Sequence, residues 1–185
     1  MAEGNNDILV REMTEQDYEQ VREIYENGIK SGHATFERKA PEWEEFYSHK
    51  LPETLFVAVE ASNPDKVVGW VSGAPISTRQ VFHGVVEDSI YTDPEEIGRG
   101  IAGKLLDRFI ERCAALGKWG IHSWIFPENE GSQRLHESRG FTKVATYHHI
   151  AKMPYGEREG EWRDTDVWEK LLDKPDIHVE DLPDT

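Results

Sequence analysis

The chain has 185 residues, room for one domain with a sizeable hydrophobic core. Its 21 Lys and Arg stand against 36 Asp and Glu, a formal net charge of −15. Long-range electrostatics would therefore repel nucleic acid and anionic membrane, and neither is expected as a partner.

A single cysteine, Cys113, cannot form an internal disulfide, and it packs in a helix on this reading rather than acting as a nucleophile. The N-terminal MAEGNNDILV lacks a basic segment followed by an apolar run, and no stretch approaches membrane-spanning length, so the cytoplasm is the expected compartment. Ile8-Leu9-Val10-Arg11 reads as a first strand. Thr14 can cap a helix carrying Tyr18, Val21, Ile24, Tyr25 and Ile29 on one face, with Gly32 marking its end. Ala34-Thr35-Phe36-Glu37 then falls in the loop before a second helix, started by Pro41 and bearing Trp43, Phe46 and Tyr47. Leu55 to Val59 and Lys66 to Ser72 read as a hairpin joined through a turn at Asn63-Pro64-Asp65.

Arg79 follows in a polar loop, and Val85 to Tyr91 is a strand stopped by Asp93-Pro94. After a glycine-rich loop, Ile101, Leu105, Phe109 and Ile110 recur at helical spacing. Trp119 to Phe126 is the next strand, Asn129 to Arg139 a short helix meeting a turn at Gly140, Phe141 to Met153 a long strand and Asp166 to Leu172 a last one. His148 and His149 are adjacent in the long strand and so point to opposite faces, which predicts no metal site. Residues 1–172 form one domain on this reading, and 173–185 an acidic, proline-containing tail with little structure of its own.

The stretch from Val85 to Leu106 organises the chain. Gly98-Arg99-Gly100-Ile101-Ala102-Gly103-Lys104 places small residues and unpaired N–H groups at a helix start, which suits a phosphate, with Arg99 and Lys104 as local cations. Three phosphate-binding patterns share these letters. Gly98, Gly100 and Gly103 fit G-x-G-x-x-G, but that dinucleotide pattern wants an acid about 20 residues on, where Ser123-Trp124-Ile125 stand. Gly98 to Lys104 fits G-x-x-x-x-G-K, yet Leu105 takes the place of the Ser or Thr that would hold Mg²⁺. The third pattern is Gln/Arg-x-x-Gly-x-Gly/Ala, whose last three places Gly100-Ile101-Ala102 fill, with Ile97 where Gln or Arg is usual. Asn129 to Phe141 adds a second signature, an Asn followed by a helix that ends in Gly-Phe.

With both signatures in order, the chain resembles the GNAT superfamily of N-acetyltransferases. Within it, the resemblance is to the phosphinothricin and methionine sulfoximine N-acetyltransferases and runs from Ile8 to Leu172. Ala34-Thr35-Phe36-Glu37, Val68-Gly69-Trp70, Arg79, Val86-Glu87-Asp88-Ser89-Ile90-Tyr91, Leu135-His136-Glu137 and Trp162-Arg163-Asp164 carry it. It implies an α/β (α+β) GNAT fold, a mixed, mostly antiparallel twisted sheet of about seven strands flanked by about four helices. It also implies acetyl-CoA as co-substrate, no metal, and direct attack by an amine with both substrates bound. A homodimer is left open.

The resemblance implies roles residue by residue. Backbone groups near Ile90, Tyr91 and Thr92 would hold the pantetheine arm and acetyl group, the loop from Gly98 through Arg99, Gly100, Ile101, Ala102 and Gly103 to Lys104 the pyrophosphate, and Asn129 and Ser132 the cofactor's amide arm. Phe36, Glu37, Trp70 and Arg79 would meet the acceptor, with Arg79 on its anionic end. Glu87 is the candidate base, directly or through water, its alternative being an exposed strand carboxylate or a partner for Arg79. His136 stands where many relatives carry a Tyr and is the candidate general acid, its alternative being a packed helix histidine. The implied acceptor is a small amino acid or analogue such as phosphinothricin or methionine sulfoximine. Another amine, a protein N-terminus, and a non-catalytic acetyl-CoA sensor are the competing readings, and the presence of Glu87 and His136 counts against the last.

Overall fold

The computed structural model describes residues 7–176. In chain order its elements are β1 (Ile8–Glu12), α1 (Tyr18–Lys30), α2 (Trp43–Ser48), β2 (Phe56–Glu60), β3 (Asn63–Pro75), β4 (Val85–Thr92), α3 (Ile101–Ala115), β5 (Gly120–Ile125), α4 (Glu130–Ser138), β6 (Thr142–Lys152) and β7 (Trp162–Leu171). The strands form one sheet in the order β1-β2-β3-β4-β5-β7-β6. Neighbours run antiparallel except β4 and β5, which are parallel. This is the GNAT fold, a mixed, mostly antiparallel sheet flanked by helices.

A sheet covered on both faces needs apolar side chains on both. The interior strand β2 supplies them as an unbroken buried run, Phe56 to Val59. On one face Val57, Val59, Val67 and Trp70 pack with Tyr18, Val21 and Ile24 of α1 and Phe46 of α2. On the other, Phe56, Ala58, Val86, Ile121 and Ile125 pack with Ile101, Leu105, Phe109 and Cys113 of α3. Both helices are amphipathic, and their buried residues recur at the spacing expected of one face. Gly69 lets α3 approach β3: a Cβ there would lie 2.9 Å from Ile101 Cγ2 and 3.1 Å from Leu105 Cδ1. Trp70, fully buried, stacks on Tyr91 at 4.8 Å between ring centroids. Truncating such a residue to Ala costs about 3–5 kcal/mol.

The start of α1 is fixed by polar chemistry. Asp17 accepts from Thr14 N–H at 2.8 Å, from Thr14 Oγ1 at 2.9 Å and from both terminal nitrogens of Arg11. Arg11 and Thr14 offset the burial of the carboxylate and hold its pKa below the ordinary value.

The structure departs from the sequence reading in three places. The β2–β3 turn falls at Ala61-Ser62, closed by the pair Glu60↔Asn63, and Asn63-Pro64-Asp65 lie inside β3. Pro64 is tolerated because β3 bonds β4 only from Gly69 onward, so its missing N–H breaks no second ladder. β7 begins at Trp162 rather than Asp166, because the buried Arg163, Thr165 and Asp166 disguise an inward-facing strand as a polar one. β6 is irregular between Tyr147 and Ala151, where His149 has φ 52° and Asp164 takes both the His148 ring at 2.8 Å and the His149 N–H at 2.9 Å. Of the expected tail, Asp173 to Asp176 carry no helix or strand, and the rest lies outside the described residues.

Candidate active site

β4 and β5 pair through only three residues, Val85↔Gly120, Val86↔Ile121 and Glu87↔His122, and then part. β4 runs on to Thr92 bonded to β3, and β5 runs on to Ile125 bonded to β7. From Asp88 onward the backbone of β4 therefore has no strand partner on its β5 side. The gap opens into a cavity of about 310 Å³. Glu87 to Tyr91 form one wall, Ser123 to Phe126 another, and Ala34 to Glu37, Tyr25, Lys50, Asn129, Ser132 and His136 complete it. A second cavity of about 650 Å³ adjoins it, sharing Tyr25, Phe36, Glu37 and Lys50 and adding Arg38, Lys39, Glu45 and His49.

Successive residues of a strand face opposite ways, so β4 divides the site. Glu87, Ser89 and Tyr91 face α1 and α2. Burial raises the pKa of the Glu87 carboxyl, opposed by the charge of Lys50 and assisted by that of Asp88. Lys50 donates to Ser89 Oγ at 3.5 Å and lies 5.7 Å from the centroid of Phe46, and burial lowers its pKa.

Asp88 faces the other way and is buried, as are its partners Ser123 and His136. Ser123 Oγ donates to Asp88 Oδ1, and His136 Nε2 lies 3.1 Å from Asp88 Oδ2. His136 Nδ1 lies 2.7 Å from the Ser132 carbonyl, to which it can only donate. Burial by itself opposes charging of this imidazole, but the Asp88 carboxylate and the Ser132 carbonyl outweigh it and raise its pKa. An imidazolium with both N–H groups engaged is the state that satisfies every partner.

The loop over the cavity is clamped. Tyr155 donates to Thr35 O at 2.8 Å, and Phe36 meets Phe126 edge to face at 4.9 Å. Arg163 lies 3.7 Å from the Phe126 centroid and donates to Gly32 O at 2.6 Å and Glu128 Oε2 at 3.0 Å. Asn129 caps α4 by accepting from Ser132 N–H at 3.1 Å and donates to His33 O at 3.2 Å, so its carboxamide joins α4 to the loop.

Beyond the cavity, α3 opens from Gly98 (φ 87°) and Gly100 (φ 72°), conformations in which a side chain would be strained. The first bond into the helix is Lys104 N–H to Gly100 O at 3.1 Å, so the N–H groups of Ile101, Ala102 and Gly103 belong to the turn that has no helical acceptor. These amides and the dipole suit a phosphate, and the free edge of β4 suits an amide-bearing arm. The expected cations are committed elsewhere. Arg99 bonds Glu60 at 2.6 and 3.0 Å and Glu96 at 2.6 Å, and Lys104 donates to Ile8 O at 3.1 Å.

The structure thus gathers Phe36, Glu37, Glu87, Ile90, Tyr91, Asn129, Ser132 and His136 on one cavity. Thr92 and the loop from Gly98 to Lys104 follow it along the chain without lining it. Trp70 does not reach it, being wholly buried behind Tyr91, and Arg79 is exposed with its guanidinium 5.3 Å from the Phe82 ring. An ion pair between Arg79 and Glu87 does not form, and Lys50 is the cation acting on Glu87. Cys113 is buried in the α3 core with its thiol pushed up to about 12 by burial. Lys50, Asp88, Ser123 and Tyr25 also line the cavity, and none of them carries a site role in the sequence reading. Asp88 had a signal, a charge at the inward position between Val86 and Ile90. Among the described residues no three His, Cys, Asp or Glu side chains group as a metal site, and no helix is long and apolar enough to cross a membrane.

The model of the acetyltransferase (GNAT) family matches residues 15–141. The chain is 26% identical over 175 residues to the phosphinothricin N-acetyltransferase of Streptomyces coelicolor, covering 91% of this chain and 99% of that one. It is 34% identical over 109 residues to the L-methionine sulfoximine/L-methionine sulfone acetyltransferase of Salmonella typhimurium, covering 58% and 60%. A phosphinothricin acetyltransferase of the GNAT superfamily from Sinorhizobium meliloti, solved in complex with AcCoA, superposes with a TM-score of 0.79 at 25% identity, over 95% of this chain and 97% of that one.

Proposed function

The chain belongs to the acetyltransferase (GNAT) family and is an acetyl-CoA-dependent acetyltransferase of small amines, and from that premise we propose that its acceptor is a small amino acid or analogue of the phosphinothricin or methionine sulfoximine type. One observation carries the chemistry: Glu87, with a carboxyl pKa raised by burial, is the last β4 residue paired with β5 and stands where the cavity opens. A carboxylate there takes the proton of the amine, directly or through one water, and its raised pKa makes it a better base than a solvated glutamate. Acetyl-CoA supplies the acyl group and a thiol leaving group. The free edge of β4 near Ile90 and Tyr91 offers amides to the acetyl arm, and the first turn of α3 offers amides to the pyrophosphate.

His136 is a positioning residue in this reading. Its ring nitrogens are spent on Asp88 and Ser132, so it fixes α4 against β4 and shapes the cavity floor. The thiolate leaves and takes its proton from water, so the step needs no dedicated side-chain acid. Orientation and desolvation of the amine supply much of the rate.

Thiol release from acetyl-CoA is the test, with free amino acids, phosphinothricin, methionine sulfoximine and short peptides as acceptors. The expected result is turnover concentrated on one or a few small amino acids or analogues. Turnover of peptide N-termini alone would replace this acceptor class.

A further inference from the structure

Lys50 stands where the two cavities meet and lines both. The residue is half-buried, and among the described residues the only hydrogen bond of its ammonium is the long one to Ser89 Oγ, 3.5 Å, with no carboxylate within ion-pair distance. Glu87, Asp88 and Glu37 act on it only from farther away. A partly desolvated ammonium without a counter-ion favours an anion beside it. In the adjoining cavity Arg38 and Lys39 join Lys50 against Glu37 and Glu45, so that cavity carries one more formal cation than anions in a chain of net charge −15. Such a chain attracts an anionic acceptor only through local charge. Arg79, to which the resemblance gave the acceptor's anionic end, lines neither cavity.

We infer that Lys50 is the residue that holds the acceptor's acid group, so that the enzyme selects amines carrying a carboxylate or phosphinate and places them between Lys50 and Glu87. The inference rests on the reading that this cavity takes the amine. It assigns acceptor specificity to the segment between α2 and β2.

The test compares the best free amino acid of the acceptor panel with its primary amide, in the parent, Lys50→Met and Lys50→Arg. The parent should prefer the acid. In Lys50→Met that preference should fall by about 10- to 100-fold, the worth of one charge-assisted hydrogen bond, through a rise in KM for the acid. Lys50→Arg should retain part of it. A preference unchanged in Lys50→Met, or a common fall in kcat for acid and amide, overturns the inference while leaving the proposed function intact. If no amine is acetylated, the proposed function fails by itself and calorimetry with glutarate decides about Lys50. Binding to the parent that Lys50→Met loses supports an acid seat, and equal or absent binding in both refutes it.

Discussion

Glu87 and Asp88 are neighbours on β4, both are carboxylates withdrawn from water, and they face opposite sides of the sheet. Asp88 has a complete set of permanent partners, with Ser123 on one oxygen and His136 on the other, and His136 passes its second N–H to the Ser132 carbonyl. Glu87 has no hydrogen bond of that kind among the described residues; it shares its side of the cavity with Lys50, itself without an ion pair. A polar cluster that is fully satisfied rigidifies a fold, whereas one left incomplete wants a ligand. The comparison assigns chemistry to the α1 and α2 side of β4, and architecture to the α3 and α4 side.

The largest expected effect comes from breaking the open side. Glu87→Gln keeps the shape but cannot take a proton, and kcat/KM should fall by about 10²- to 10⁴-fold with the thermal unfolding midpoint little changed. Steady-state kinetics with a calorimetric scan would show whether the loss is catalytic.

On the closed side the effect should be on stability. His136→Phe leaves Asp88 buried without its cation, and urea denaturation should report a loss of about 3–5 kcal/mol, the usual cost of removing one partner from a buried pair. Because the folded pKa of His136 is raised, its contribution is complete below the unfolded value of about 6.5 and is lost as pH rises through the folded value. The gap between parent and variant should therefore narrow from mildly acidic to alkaline pH, and a gap that widens would contradict the assigned charge state.

The smallest effects sharpen the comparison at the loop before α3. Gly100→Ala forces a side chain into φ 72°, a strain of about 1–2 kcal/mol that should appear as a higher KM for acetyl-CoA. Arg99→Ala removes a guanidinium already bound to Glu60 and Glu96, so the same KM should move less than about twofold. The reverse ranking would mean that side-chain charge, not backbone, holds the phosphate.

Much of this architecture is legible in the sequence. The periodicities of α1 and α3 and the apolar run of β2 mark both cores, and the glycines before α3 mark a helix start whose backbone only glycine adopts readily. The boundaries that escaped are those where tertiary partners pay for polar residues in strands, as in β7, where buried Arg163 is held by Gly32 O and Glu128. At the site, strand alternation places Glu87 and Asp88 on opposite faces from sequence alone. What stays hidden is which face is satisfied: Ser123 and His136 meet Asp88 from 35 and 48 residues away. Lys50 is hidden for the same reason, since nothing around it in the chain distinguishes it from an exposed lysine after a short helix.

The pH dependence of kcat/KM for one acceptor, in the parent, Glu87→Gln and His136→Phe, separates the two faces of β4 most directly. The parent should lose rate as pH falls through the raised pKa of Glu87, Glu87→Gln should lack that acidic limb, and His136→Phe should keep it wherever the variant remains folded. An acidic limb that survives in Glu87→Gln and disappears in folded His136→Phe would put the proton transfer on the closed side of the strand and contradict the assignment.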